Sequence, residues 1–330
     1  MARRKARKTQ PVELTLLTDL PVGSSIADIG NLASQINRKT FRQGYQYMIE
    51  KIEFYTVSND PVTISVARLP NHWPSINAWT KTMSLWRKQQ DDRLAESGLE
   101  QTIAAHRDFK IYMDSNHADG NYTELQARTG DVTTNSGYYM TVAQAQLVSP
   151  SVTKDWDKSQ IVLPNKAAPG NTVEYFCHML GPDSTGGAGA SFGMIKAYAD
   201  SRNRPMQTDP NIVDVASGGI FGEMFDVDEA TGDIVTNAQE ANTATPYLND
   251  IDTPIEFYPG GSEQAVTPTI QDILQIVPTG NRTVASSVVP GFIANCGLIL
   301  FSTDQVVQCK ITLAPGEYKG LMARPMQDVN

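Results

Sequence analysis

YQYMIEKIEFYTV at Tyr45–Val57, then Asn59-Asp60-Pro61, then VTISVARL at Val62–Leu69 is the most strand-like stretch of the chain. Tyr45, Tyr47 and Ile49 alternate with polar partners, and β-formers dominate both halves. Asn-Asp-Pro is turn chemistry. The stretch predicts two strong strands joined as a hairpin. Upstream, VELTLLTDL (Val12–Leu20) predicts a short first strand, and residues 21–44 read as turns carrying Arg38, Lys39 and Arg42. Downstream, Pro74 and Ser75 are helix-start signals. Ile76, Trp79, Met83 and Trp86 then share one face, which predicts a helix over about 75–90. Two tryptophans on one face need a wide apolar bed, either a sheet or a neighbouring chain. Trp79, Met83 and Trp86 are therefore the candidate subunit contacts.

Shorter strand-like runs follow at turn-marked intervals: Asp108–Met113, Tyr138–Val148, Ile161–Leu163, Val173–Met179 and Met194–Ala199, with a flexible loop at Gly181–Gly193. Phe292–Phe301 and Val306–Leu313 read as a last apolar hairpin across Ser302–Gln305, and Ala314–Asn330 as an extended tail. Many short strands with Gly and Pro punctuation mark an all-β sandwich or barrel with one decorating helix. The expected organisation is a basic disordered arm over 1–11, a β body over 12–204, a loop-rich acidic insertion over 205–290, and closing strands with a tail over 291–330.

The 330 residues carry a net charge of −9, unevenly spread. Arg3, Arg4, Lys5, Arg7 and Lys8 place five positive charges in six positions, in a run that repels itself and cannot bury. Between Arg204 and Arg282 there is no Lys or Arg, but there are thirteen Asp and Glu. Five phosphate contacts on a single strand imply a salt slope of roughly −3.5. That is weak for one chain and strong only when many arms meet one polymer, so the charge pattern favours an assembly. Arg38, Lys39 and Arg42 are candidates to add to the same phosphate-facing surface. Without a fixed frame the arm cannot read base edges, so binding is expected to be blind to sequence.

Other signals exclude function classes. No run of about 18 apolar residues is present, so neither a membrane helix nor a membrane partner is expected. The start of the chain lacks the apolar segment of a signal peptide. Cys177, Cys296 and Cys309 are widely spaced and read as buried free thiols, with no metal and no cofactor implied. Gly189-Ala-Ser191-Phe-Gly193 matches a nucleophile elbow, but all four histidines, His72, His106, His117 and His178, precede Ser191. His106-Arg107-Asp108 resembles a kinase loop but has Met113 where asparagine belongs. Asp226, Asp228, Glu229 and Asp233 cluster without the EF-hand spacing and read as an exposed acidic loop. No catalytic residue is assigned, and an enzyme is not expected.

Several stretches carry a resemblance: Trp73-Pro-Ser-Ile-Asn-Ala-Trp-Thr-Lys-Thr-Met-Ser-Leu-Trp86, Arg107-Asp-Phe-Lys-Ile-Tyr-Met113, Cys296-Gly-Leu-Ile299 and Pro315-Gly-Glu-Tyr-Lys-Gly320. With the basic arm and acidic insertion, they resemble capsid proteins of circular Rep-encoding single-stranded DNA viruses, the bacilladnavirus-like group in particular. The resemblance implies an eight-stranded antiparallel jelly roll and a homo-oligomeric icosahedral shell around a single-stranded DNA genome. It also implies a virion location, with assembly in the host nucleus or cytoplasm. The host receptor stays open. The competing reading is a jelly-roll glycan-binding or attachment module without genome packaging, which predicts a small oligomer with no affinity for DNA.

Overall fold

The computed structural model describes residues 11–56, 60–98, 107–128, 157–164, 171–185, 189–203, 269–277 and 285–329. In chain order the strands are β1 Thr15–Leu20, β2 Gly23–Asp28, β3 Tyr45–Thr56, β4 Val62–Arg68, β5 Tyr112–Asp114, β6 Thr123–Glu124, β7 Gln160–Pro164, β8 Thr172–Leu180, β9 Ser191–Gly193, β10 Thr269–Ile276, β11 Ala285–Ala294, β12 Leu298–Thr303 and β13 Val307–Leu313. Three short ones close the chain: β14 Pro315–Gly316, β15 Gly320–Leu321 and β16 Ala323–Pro325. The described helices are α1 Ile29–Asn37, α2 Trp73–Glu96, α3 Ser115–Ala118 and α4 Met194–Asn203.

The fold is β-rich, built on two antiparallel sheets. The front sheet runs β1-β13-β3-β11, with β16 added to β3; the back sheet runs β10-β4-β12-β2, with β6 alongside in parallel. Their inner faces meet in one core that includes Leu16, Ile52, Phe54, Ile64, Val66, Phe301 and Ile311. Phe54 and Phe301 meet edge to face across it at 5.9 Å. Neither expected hairpin exists. β3 pairs with β13 and β11 and β4 with β12 and β10, so the two strands lie in opposite sheets. β12 and β13 are likewise divided between back and front. Alternation tells which face a strand buries, not which neighbour it takes. Phe292–Phe301 is also not one strand. Cys296 and Gly297 adopt φ of 53° and 64°, and that corner turns the chain from β11 into β12. A Cβ on Gly297 would sit 3.1 Å from the Tyr47 ring.

Between β4 and β10 the chain builds a third layer. β5, β8, β7 and β9 form a small sheet, and with α2 and α4 it encloses a second core against the outer face of the back sheet. Ile26 and Leu298 from that sheet join Trp79, Phe109, Ile111, Met113, Met179 and Ile195. The strands expected to close a body at residue 204 are therefore largely an insertion. The body resumes at β10 and β11, inside the stretch expected to be a loop-rich insertion. Residues 204–268, including the acidic cluster at Asp226–Asp233, and the expected strand at Tyr138–Val148 lie outside the described residues.

Helix α2 is longer than the expected 75–90, with proline in its first turn. Its tryptophan face finds an apolar bed within its own chain, with Met83 and Trp86 left partly exposed. Trp79 is 3% exposed in its own chain, edge to face with Phe109 at 6.0 Å, and Met83 and Trp86 pack beside the same cluster. The apolar bed is intramolecular. Met194–Asn203 is a helix, not a strand, because Met194 and Ile195 are buried and Lys196 and Ala197 exposed, a helical rather than alternating pattern. Helix α1 replaces expected turns, because Gly30, Asn31 and Asn37 look like turn residues in isolation. Asp28 caps it, accepting the Asn31 N–H at 3.1 Å. The tail folds back: β14 pairs with β15, and β16 pairs with Tyr45–Tyr47 of β3. All three cysteines are buried free thiols.

Candidate nucleic-acid interface

Arg3, Arg4, Lys5, Arg7 and Lys8 lie outside the described residues; the chain becomes described at Pro11. Its anchorage there is specific. The Lys39 ammonium donates to the Pro11 carbonyl at 2.9 Å. The Glu13 N–H donates to Asn37 Oδ1 at 2.7 Å, and Asn37 Nδ2 returns a bond to the Glu13 carbonyl at 3.2 Å. The root of the basic run is thus strapped to the C-terminal end of α1, where Arg38 caps the helix in the left-handed conformation, φ 52°.

Lys319, far from Lys39 in sequence, joins this corner. It sits on the β14–β15 turn with φ 53° and donates to the Thr40 carbonyl. Its ammonium lies 5.7 Å from the ring centres of both Phe41 and Tyr318, a cation–π arrangement. Tyr318 stacks on Tyr45 at 4.0 Å and accepts the Arg42 N–H at 3.1 Å. Burial first, then the charges of Arg42 and Lys39, hold the Lys319 ammonium below its usual range, with Asp108 opposing them. Lys39 and Arg42 therefore lie beside Lys319, the member that spacing could not reveal, while Arg38 is exposed at the end of α1. Elsewhere on the front sheet Lys51 and Lys310 are neutralised, sharing the Glu53 carboxylate at 3.2 and 3.3 Å.

Beneath the corner, burial pushes the Asp108 carboxyl up to about 6; Lys110, Arg42 and the Gln43 N–H at 3.3 Å restrain it. A raised folded-state value means that the native state holds this proton more tightly than the unfolded chain. Stability is then lost as pH rises from about 4 through about 6. Asp108→Asn removes that cost. It is expected to stabilise the protein by about 3 kcal/mol at pH 7.5 and by nothing at pH 3.5, measured by urea unfolding at the two pH values.

Two further clusters have the look of chemistry. His117, Glu124, Lys158 and Asp28 form a chain where β2 and β6 meet the third layer. Lys158, its side chain 4% exposed, lies 3.0 Å from Glu124 and 4.0 Å from Asp28. Burial would lower the lysine, but the two carboxylates overcome it and hold it above its usual range. Burial would raise Glu124, but His117 and Lys158 hold it down to about 2. The Met113 N–H donates to His117 Nδ1, so the hydrogen resides on Nε2 and points to Glu124 at 3.1 Å. Every member is engaged, which makes this a structural clamp. Lys158→Met takes the cation from the buried Asp28 carboxylate and the part-exposed Glu124 and is expected to cost roughly 1–3 kcal/mol, read by urea denaturation, with part recovered on adding Glu124→Gln.

The second is His178 and Ser191, 3.1 Å apart. The fold brings together what chain order argued against. The polarity is that of a structural bond, however: Nε2–H donates to the Pro182 carbonyl at 3.0 Å, leaving Nδ1 to accept the serine hydroxyl. The two residues are 0% and 1% exposed. Gly193 is set by packing, since a Cβ there would lie 2.3 Å from the Gly181 carbonyl oxygen. The pair ties Ser191 of β9 and the turn at Pro182 to β8.

Among the described residues no helix is long and apolar enough to cross a membrane, and no group of His, Cys, Asp and Glu is arranged to hold a metal. Compared with known proteins, the chain matches no family model, no curated protein and no solved structure.

Proposed function

We propose that this chain is a jelly-roll coat protein that assembles into an icosahedral shell and packages single-stranded DNA through its basic arm. Strand order is the observation that carries the reading. Counting only β1, β2, β3, β4, β10, β11, β12 and β13, the front sheet runs first-eighth-third-sixth and the back sheet second-seventh-fourth-fifth, antiparallel throughout. That order supports reading the two sheets as the double Greek key of a jelly roll, an architecture used by viral capsids and by lectins. The corner favours packaging over glycan binding. The basic run leads in sequence to Pro11, which is bonded to Lys39 of a cluster that includes Arg42 and Lys319, so the cations of the arm and those of the body share one origin. Such a surface suits a polyanion and has no preference for sequence.

The test is electron microscopy of the purified protein with its absorbance ratio at 260 and 280 nm. Closed shells carrying nucleic acid are the expected result. A small defined oligomer free of nucleic acid that binds glycans would replace the reading with the attachment module.

A further inference from the structure

Lys39 and Arg42 lie three residues apart, Lys319 joins them from near the other end of the chain, and hydrogen bonds hold the two ammonium groups and the Arg42 backbone in place. Carbonyls of Pro11 and Thr40 hold the two ammonium groups, and the Arg42 backbone is clamped by two tyrosines, donating to Tyr318 and accepting from the Tyr47 hydroxyl at 2.6 Å. Among the described residues, neither Lys39 nor Lys319 has a carboxylate within ion-pair distance. Burial is the first cause of the depressed Lys319 ammonium, and the neighbouring charges of Arg42 and Lys39 add to it against Asp108, so holding these like charges together costs free energy. An anion placed between them relieves it. Aromatic walls from Phe41 and Tyr318 shield the site and strengthen the field there.

We propose that Lys39, Arg42 and Lys319 form a fixed phosphate-binding site at the root of the arm. It takes a phosphodiester of single-stranded nucleic acid and, without cargo, inorganic phosphate. The phosphodiester as source rests on the packaging reading; the phosphate chemistry does not. The site differs from the arm in kind. A flexible tether contributes charge at any geometry, whereas preorganised cations bind at one place and stabilise the folded state.

Two measurements on the full chain test it. The first is the salt dependence of binding to a labelled oligothymidylate, by fluorescence anisotropy. Removing one cation that neutralises a phosphate of a single strand lowers the slope by about 0.7. Lys319→Met is expected to remove about 0.7, Lys39→Met with Lys319→Met about 1.4, and Lys319→Arg nothing. The second is the rise in melting temperature with added inorganic phosphate, against chloride at equal ionic strength. Wild type should rise and the double variant should not. A double variant that unfolds at the wild-type temperature in chloride, keeps the wild-type slope and still gains from phosphate overturns the site. Should the double variant melt early, Lys319→Gln alone serves, and an unchanged slope there overturns it equally. Shells that package DNA normally while the slope is unchanged leave the coat-protein reading standing and sink the site. A phosphate response abolished in the double variant, in a protein that forms no shell, does the reverse.

Discussion

Trp79→Ala is expected to destabilise the protein by about 3–5 kcal/mol, enough to leave the third layer poorly docked. The indole is nearly sealed between Phe109 and the chain at Gly44, where an added Cβ would lie 2.6 Å from the Trp79 ring. Truncation removes one of the largest side chains of the second core and opens a cavity between α2 and the small sheet. Gly44→Ala approaches the same packing from the other side and is expected to cost about 1–3 kcal/mol through overpacking. Thermal unfolding of dilute, unassembled protein distinguishes this from a contact between subunits. A subunit contact would leave the isolated chain's melting temperature unchanged and reduce only assembly. The intramolecular packing requires the isolated chain itself to melt early.

Deleting residues 2–8 is expected to leave folding and melting temperature unchanged while removing most packaged nucleic acid. The deleted stretch carries all five charges of the arm, so the salt slope should fall by roughly 3.5 per chain. Pro11 to Glu13, with their bonds to Lys39 and Asn37, remain in place, and so does the first strand. The absorbance ratio of purified particles reads the outcome. A truncated protein that packages as much as the full chain would show that the arm does not recruit cargo.

The two tests fall on different sides of a divide within the molecule. Alternation at Tyr45–Thr56 and Val62–Arg68, the helix signal at Pro74 and the self-repelling run at Arg3–Lys8 are local patterns. Each depends on residues within a few positions of one another, and so each is legible in the sequence. The partners of those elements are not. β3 finds β13 near the far end of the chain, and β4 finds β10 across an insertion. Helix α1 is obscured because its glycine and asparagines serve packing and capping, yet in isolation they look like loop residues. The candidate site divides in the same way. Arg38, Lys39 and Arg42 can be read as a cluster from spacing alone, but Lys319 cannot, because only the β14–β15 turn brings it over Phe41.

The amino-acid order alone therefore determined which faces the main strands bury and where charge accumulates, because side-chain alternation and like-charge repulsion act over short range. Tertiary structure alone decided that the apparent hairpins divide between two sheets. It also decided that the tryptophan face of α2 turns inward, that His178 meets Ser191 in a sealed bond, and that a lysine from the tail completes the cationic corner. Those outcomes follow from the requirement that every apolar face and every backbone polar group find a partner at once, a condition set by the whole chain.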